Sequence, residues 1–247
     1  MIRYFEELDS TNTKIKELAN DGAPHGTVVV ADRQTAGKGR RGRTWESPAG
    51  TNLYFSILLR PQIETWKAPM LTLVMAYSAA KVIRNQLEMQ VMIKWPNDLV
   101  VSKKKICGIL TEMSLNKTEI DYIVVGTGIN VNISEFPEEL QDKATSLFLE
   151  KGELIERKGL LEKILEEFWI QYDRFLKVHD LSYLQEEYNE MLINRDREVV
   201  VLEPGNEYPA IAKGINQTGE LIVALEDGSE SVIYAGEVSV RGIYGYV

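Results

Sequence analysis

The stretch Ala36-Gly37-Lys38-Gly39-Arg40-Arg41-Gly42-Arg43 constrains the fold most sharply, because it cannot be regular structure. It holds four cations and three glycines. Like charges repel, and glycine loses more conformational freedom on ordering than any other residue. The segment is therefore a loop that something rigid must carry. Val28-Val29-Val30-Ala31 before it reads as a strand, within Thr27 to Asp32. After it, Asn52 to Leu59 alternates, with Leu53, Phe55, Ile57 and Leu59 on one face. A basic glycine loop between two strands can grip an anion through close backbone N–H groups and forked guanidinium donors. The same composition also fits a nucleic-acid contact or a solvated loop, and the octamer alone does not separate them.

The remaining elements give a mixed α+β chain. A helix is expected from Ser10-Thr11-Asn12, capped by Ser10 or Thr11, with Ile15, Leu18 and Ala19 on its apolar face and Gly22 with Pro24 as its stop. Pro69 to Leu87 is rich in Leu, Met and Ala and reads as a buried helix. Val91 to Trp95 is a short strand, Leu99 to Val101 and Ile106 to Met113 flank a hairpin tip at 102–105, and Tyr122 to Val131 is a further strand. The stripe from Leu160 through Phe168 and Tyr172 to Leu176 has helical spacing and reads as core. From Arg197 the character changes to short β runs punctuated by Gly205, Gly214, Gly219, Gly228 and Gly236. These suggest a small barrel or sandwich of about five strands.

The net charge of −9 argues against bulk nucleic-acid binding, although a local basic patch is compatible with it. No apolar run approaches the ~20 residues needed to span a bilayer, and the acidic N-terminus has no signal-peptide core. One cysteine, Cys107, excludes an internal disulfide and fits a reducing, cytoplasmic compartment; it reads as a small buried hydrophobe. With His25 and His179 distant in sequence, no zinc pattern exists.

Three further motifs carry chemistry. Lys94-Trp95-Pro96-Asn97-Asp98 ends a strand in a turn; it is either structural or sets Lys94 and Asp98 beside a phosphate. Lys105 opens a strand in which Gly108 marks a close approach by a ligand or another backbone. Gly126-Thr127-Gly128-Ile129-Asn130 lacks the third glycine and the following helix of a dinucleotide fingerprint, and Gly37-Lys38 is followed by Gly39, so there is no Walker A either.

Taken in order, Ser10-Thr11-Asn12, Gln34 to Trp45, Lys94 to Asp98, Lys105 to Leu110, Gly126 to Asn130 and the ending Gly236 to Gly242 resemble the biotin protein ligases over nearly the whole chain. Lys38 departs from the family's usual Arg, keeping the charge and losing the fork. The resemblance implies a catalytic domain over 1–193, with a mixed or antiparallel sheet and flanking helices, and an SH3-like β-barrel over 194–247. It implies ATP-dependent activation of biotin to biotinyl-5′-AMP, then transfer to a lysine of a biotin carboxyl carrier protein. Magnesium is expected on the phosphates, with ligands that the sequence does not identify.

By motif matching, Lys105, Arg40 and Asp98 would be catalytic. Lys105 would lie between the biotin carboxylate and the α-phosphate, Arg40 and Arg43 would grip phosphates with Lys38 near the ligand, and Asp98 would position or deprotonate the incoming lysine. Ser10, Thr11 and Gln34 would meet the ureido head, with Asn12 beside them and Lys94 at the phosphates. The backbone of Gly37, Gly39, Gly108 and Gly126 would pass close to the ligand. Trp45 would stack on adenine and Asn130 would hydrogen-bond it. The family also implies a homodimer and no membrane. The chain begins at the catalytic domain, so no DNA-binding domain and no repressor role are expected. The alternatives are a lipoate–protein ligase of the same fold and a non-catalytic nucleic-acid-binding protein using the basic loop.

Overall fold

The computed structural model describes residues 1–203, 205–234 and 239–242. Its first sheet contains β1 (Ile2–Leu8), β2 (Val28–Gln34), β3 (Leu53–Leu59), β4 (Met92–Lys94), β5 (Asp98–Val101), β6 (Lys104–Asn116) and β7 (Glu119–Ile129). The spatial order is β1-β2-β3-β7-β6-β5-β4, with β1–β2 parallel and every other pair antiparallel. The helices are α1 (Thr11–Asn20), α2 (Met70–Leu87), α3 (Leu147–Lys151), α4 (Arg157–Val178) and α5 (Gln185–Met191). The architecture is the expected mixed sheet with flanking helices.

The central strand β3 shows how the layers divide. Leu53, Phe55, Ile57 and Leu59 join the main core with α2 and α4, as their alternation implies. The opposite face is buried too: Leu58 packs with Ile15 and Ala19 of α1, and Ser56 hydrogen-bonds to Thr11 and Asn12. All seven residues of β3 are buried, so its period of two reports pleating between two covered faces rather than a core side and a solvent side. α2 is buried along most of its length, and Ser78 is satisfied within it by donating to the Val74 carbonyl at 2.7 Å.

Two local expectations need correction. Ser10 occupies the N-cap of α1, yet its side chain makes no capping bond, and the Thr11 hydroxyl instead meets Gln34 and Ser56. The acidic N-terminus, to which the sequence reading assigned no element, forms the edge strand β1. Its half-exposed alternation and single neighbour leave little apolar signal.

The second sheet holds β8 (Arg197–Glu203), β9 (Asn206–Ile215), β10 (Leu221–Ala224), β11 (Glu230–Ile233) and β12 (Ser239–Gly242). It is antiparallel in the order β11-β10-β9-β8-β12, the five strands of the expected small SH3-like unit. Residues 236–238 of the C-terminal motif lie outside the described residues. Val199, Ala212, Leu221 and Val223 belong to the same core cluster as α2 and α4, so apolar packing runs on between the two sheets. Polar links join them as well: the Trp95 indole donates to the Gly219 carbonyl at 3.0 Å, and the Leu181 amide to that of Gln217 at 2.7 Å.

Candidate functional site

The site lies where the start of α1, the end of β2, the basic loop and strands β6 and β7 converge. It has an inner pocket and an outer mouth sharing Gly39, Arg40, Trp45, Asn97 and Lys105.

The inner pocket has a glycine floor. Gly108 on β6 pairs with Gly128 on β7, and Leu110 pairs with Gly126. A Cβ on Gly128 would meet the Trp45 indole nitrogen at 2.7 Å, and one on Gly126 would strike the Asn12 amide. Side chains at these positions would fill the space that the indole and the amide occupy. The polar wall is tightly bonded. The Thr11 amide donates to Gln34 Oε1 at 2.9 Å, and Gln34 Nε2 donates to Ser47 Oγ at 2.9 Å. Ser56 Oγ lies 2.8 Å from Thr11 Oγ1 and 2.6 Å from Asn12 Oδ1. Asn12 Nδ2 donates to Glu112 at 2.7 Å. Such a wall of amides and hydroxyls suits a neutral polar group carrying both N–H and carbonyl.

The outer mouth is ionic. Lys105 Nζ sits 2.7 Å from Asp98 Oδ1 and 4.9 Å from the centre of the Trp45 ring. Arg40 donates to Asn97 Oδ1 at 3.0 Å, and Asn97 donates onward to the Ile109 carbonyl at 3.1 Å. Burial lowers the pKa of Lys94 to about 8, with Lys105 and Arg43 adding to the effect and Asp98 opposing it. Burial likewise lowers that of Arg40; Asp98 opposes it, and Arg41 and Arg43 reinforce it. Several cations held together at the edge of a buried cavity form a concentrated positive site suited to an anion. The loop itself is folded back: Lys38 bridges to Thr44, Gly39 N–H donates to the Arg43 carbonyl at 2.7 Å, and Arg41 adopts a left-handed φ of 57°.

Of the residues singled out from sequence, Ser10, Thr11, Asn12, Gln34, Lys38, Gly39, Arg40, Trp45, Lys105, Gly108 and Gly126 line the inner pocket. Arg43, Lys94, Asp98 and Asn130 line the outer mouth. Gly37 lines neither; it is buried beneath the Trp45 carbonyl and Ser47, where a Cβ would collide, so it shapes the loop from below. Asn130 is buried, and its amide already donates to the Thr145 carbonyl at 3.1 Å. The Lys94–Asp98 motif is both a hairpin turn and a site element, with Trp95 buried and Asn97 and Asp98 facing the cavity. Asn97 and Gly128 also line the cavity; both stand within motifs named above, and Gly128 repeats Gly126 at strand period. Ser56 and Glu112 line neither cavity and hold Asn12 from behind the wall. The burial of Cys107 pushes its thiol pKa up, which leaves it inert.

A pocket of neutral hydrogen-bonding groups leading into clustered cations defines a protein that brings a small polar molecule to a polyanion. The sequence profile of the biotin/lipoate A/B protein ligase family matches residues 4–130, that of the biotin protein ligase C-terminal domain matches residues 196–241, and the chain belongs to this family, on its biotin protein ligase branch. It is 36% identical to the bifunctional ligase/repressor BirA of Bacillus subtilis, over 96% of this chain and 73% of that one. It is 29% identical to the biotin–[acetyl-CoA-carboxylase] ligase of Paracoccus denitrificans, over 95% and 98% of the two chains. The biotin protein ligase of Aquifex aeolicus, solved with biotin and ATP, superposes with a TM-score of 0.86 at 32% identity, covering 98% of each chain.

Proposed function

We propose that the inner pocket takes the bicyclic head of biotin and the outer mouth takes ATP, so that the two anionic ends meet at Lys105. The biotin carboxylate attacks the α-phosphorus, the bond to the bridging oxygen breaks, and pyrophosphate leaves. The carrier lysine, as free amine, then attacks the acyl carbon of biotinyl-5′-AMP, and AMP departs. The obstacle is an anion approaching a polyanion, and fixed cations remove it by neutralising both oxygens as they meet. The observation that carries the reading is the position of Lys105, which faces the neutral pocket on one side and the cation cluster on the other.

In this scheme Ser10, Thr11 and Gln34 bind the ureido group, beside Asn12. Arg40, Arg43 and Lys94 hold phosphates, with Lys38 at the pocket's rim. Trp45 stacks on adenine, and Asn130 offers its carbonyl oxygen to the base. Asp98, released from Lys105 once the ligands bind, positions or deprotonates the carrier lysine. Among the described residues no group of three acidic, histidine or cysteine side chains could cage a metal, which favours magnesium entering with ATP as part of the substrate. The acceptor is a biotin carboxyl carrier domain, residues 1–193 supply the ligand-binding unit with Leu202 of β8 reaching the edge of the outer mouth, and the enzyme works as a cytoplasmic homodimer.

Biotin-dependent ATP–pyrophosphate exchange, followed by transfer to a carrier domain, tests this. Exchange with biotin but not lipoate is expected; exchange with lipoate alone, or none, would overturn it.

A further inference from the structure

Glu112 lies on β6, beside the inner pocket and away from the reacting centre, and its carboxylate has two partners. Oε1 accepts from Lys16 Nζ at 2.5 Å, and Oε2 accepts from Asn12 Nδ2 at 2.7 Å. Burial works against the charged form. The bonds from Lys16 and Asn12, with the field of Lys38, outweigh it and hold the pKa below the usual carboxylate value.

An ionised carboxylate can only accept. Asn12 must therefore turn its NH₂ toward Glu112, and the Leu110 carbonyl, 3.4 Å from the same nitrogen, favours that orientation too. Asn12 Oδ1 then faces Ser56 Oγ at 2.6 Å, so the single hydroxyl proton of Ser56 goes to Asn12. Ser56 has none left for Thr11, 2.8 Å away. Two hydroxyl oxygens this close need a proton between them, so the Thr11 hydroxyl gives its own to Ser56, with Gln34 Oε1, 3.1 Å away, the other acceptor within reach. Gln34 Oε1 is fixed as an acceptor because the Thr11 backbone N–H donates to it. In either case Thr11 Oγ1 shows the pocket lone pairs only.

We infer that Glu112 is a positioning residue whose charge sets the direction of the Asn12–Ser56–Thr11 relay, so that Thr11 accepts a hydrogen bond from a ligand N–H and rejects an oxygen there. This rests on the biotin reading and makes one N–H of the cyclic urea the selected feature. Neither Glu112 nor Ser56 need touch the ligand.

The test compares biotin with its two cyclic-carbamate analogues, each having one ureido N–H replaced by ring oxygen. Calorimetric affinities are measured for wild type, Glu112→Gln and Ser56→Ala. Glutamine can donate to Asn12, which lets the amide and the relay reverse; alanine cuts the relay from the other side, so the test survives if one variant fails to fold. The wild type should bind biotin tenfold or more tighter than at least one carbamate, since opposing two acceptors forfeits a buried hydrogen bond. In both variants that ratio should shrink to within a few fold. The ATP KM and the rate of adenylate formation at saturating biotin should change little, a split that general loosening of the fold would not give. A preference kept in both folded variants, or a wild type that binds biotin and both carbamates equally, would overturn the relay. Failure of the wild type to bind biotin at all would remove the ligase reading and this inference with it.

Discussion

The two halves of the site solve opposite problems with opposite materials. The deep wall of the inner pocket is neutral: Thr11, Asn12 and Gln34 are already hydrogen-bonded to one another or to residues behind the wall before any ligand arrives. The outer mouth gathers buried and half-buried cations: burial above all lowers the pKa values of Lys94 and Arg40, and neighbouring cations add to the effect while Asp98 opposes it. The first arrangement is stable as it stands and gives selectivity. The second is offset only in part by Asp98, so it favours a bound polyanion and gives rate. Binding and chemistry are therefore separable, and substitutions in the two halves should fail in different ways.

The largest effect is expected at Lys105. Lys105→Ala removes the charge shared between carboxylate and phosphate, a contact of the kind worth ~3 kcal/mol, or roughly a hundredfold in rate. Single-turnover formation of biotinyl-5′-AMP should show that loss while calorimetric biotin affinity stays within a few fold. Gly126→Ala should break the other half. Its Cβ would strike the Asn12 amide, which Glu112 and Ser56 pin in place. Biotin affinity should fall about tenfold, the scale of one lost buried hydrogen bond, with ATP binding retained; isothermal titration of each ligand checks it.

Trp45→Ala should raise the KM for ATP by about tenfold, since stacking on an aromatic is worth roughly 1–3 kcal/mol. Steady-state kinetics with varied ATP would show it, and loss of biotin binding with intact ATP binding would reverse the assignment. The smallest effect concerns pH. Burial places the Lys94 pKa at about 8 against 10.5 for a free lysine, so its charge is present below pH 8 and lost above it. The free enzyme's ATP affinity should weaken several-fold from pH 7 to 9. Lys94→Arg should flatten that profile, because a guanidinium stays charged. The stability sign runs the other way: a buried cation opposes folding, so that cost is full below pH 8 and fades as pH rises toward 10.5.

The fold was legible where periodicity was strong, as in α2, α4, β3 and the five short strands after Arg197. β1 escaped because an acidic edge strand with one partner buries too little to leave a pattern. The second buried face of β3 escaped because Ser56 and Leu58 read as an outward face until α1 is placed over them. Most of the cavity-lining residues were legible because cations and glycines cluster in sequence as well as in space. Glu112 was not, since its meaning depends on Asn12, which reaches it across the fold. Gly37 stood within the right motif and yet supports the loop from beneath instead of lining the cavity.

A binding half and a chemical half should come apart when biotin affinity and single-turnover adenylation at saturating biotin are measured on Lys105→Ala and Gly126→Ala side by side. Lys105→Ala should bind biotin nearly normally and adenylate it roughly a hundredfold more slowly, whereas Gly126→Ala should bind weakly and adenylate at close to the normal rate once saturated. Parallel losses of affinity and rate in both variants would contradict this division.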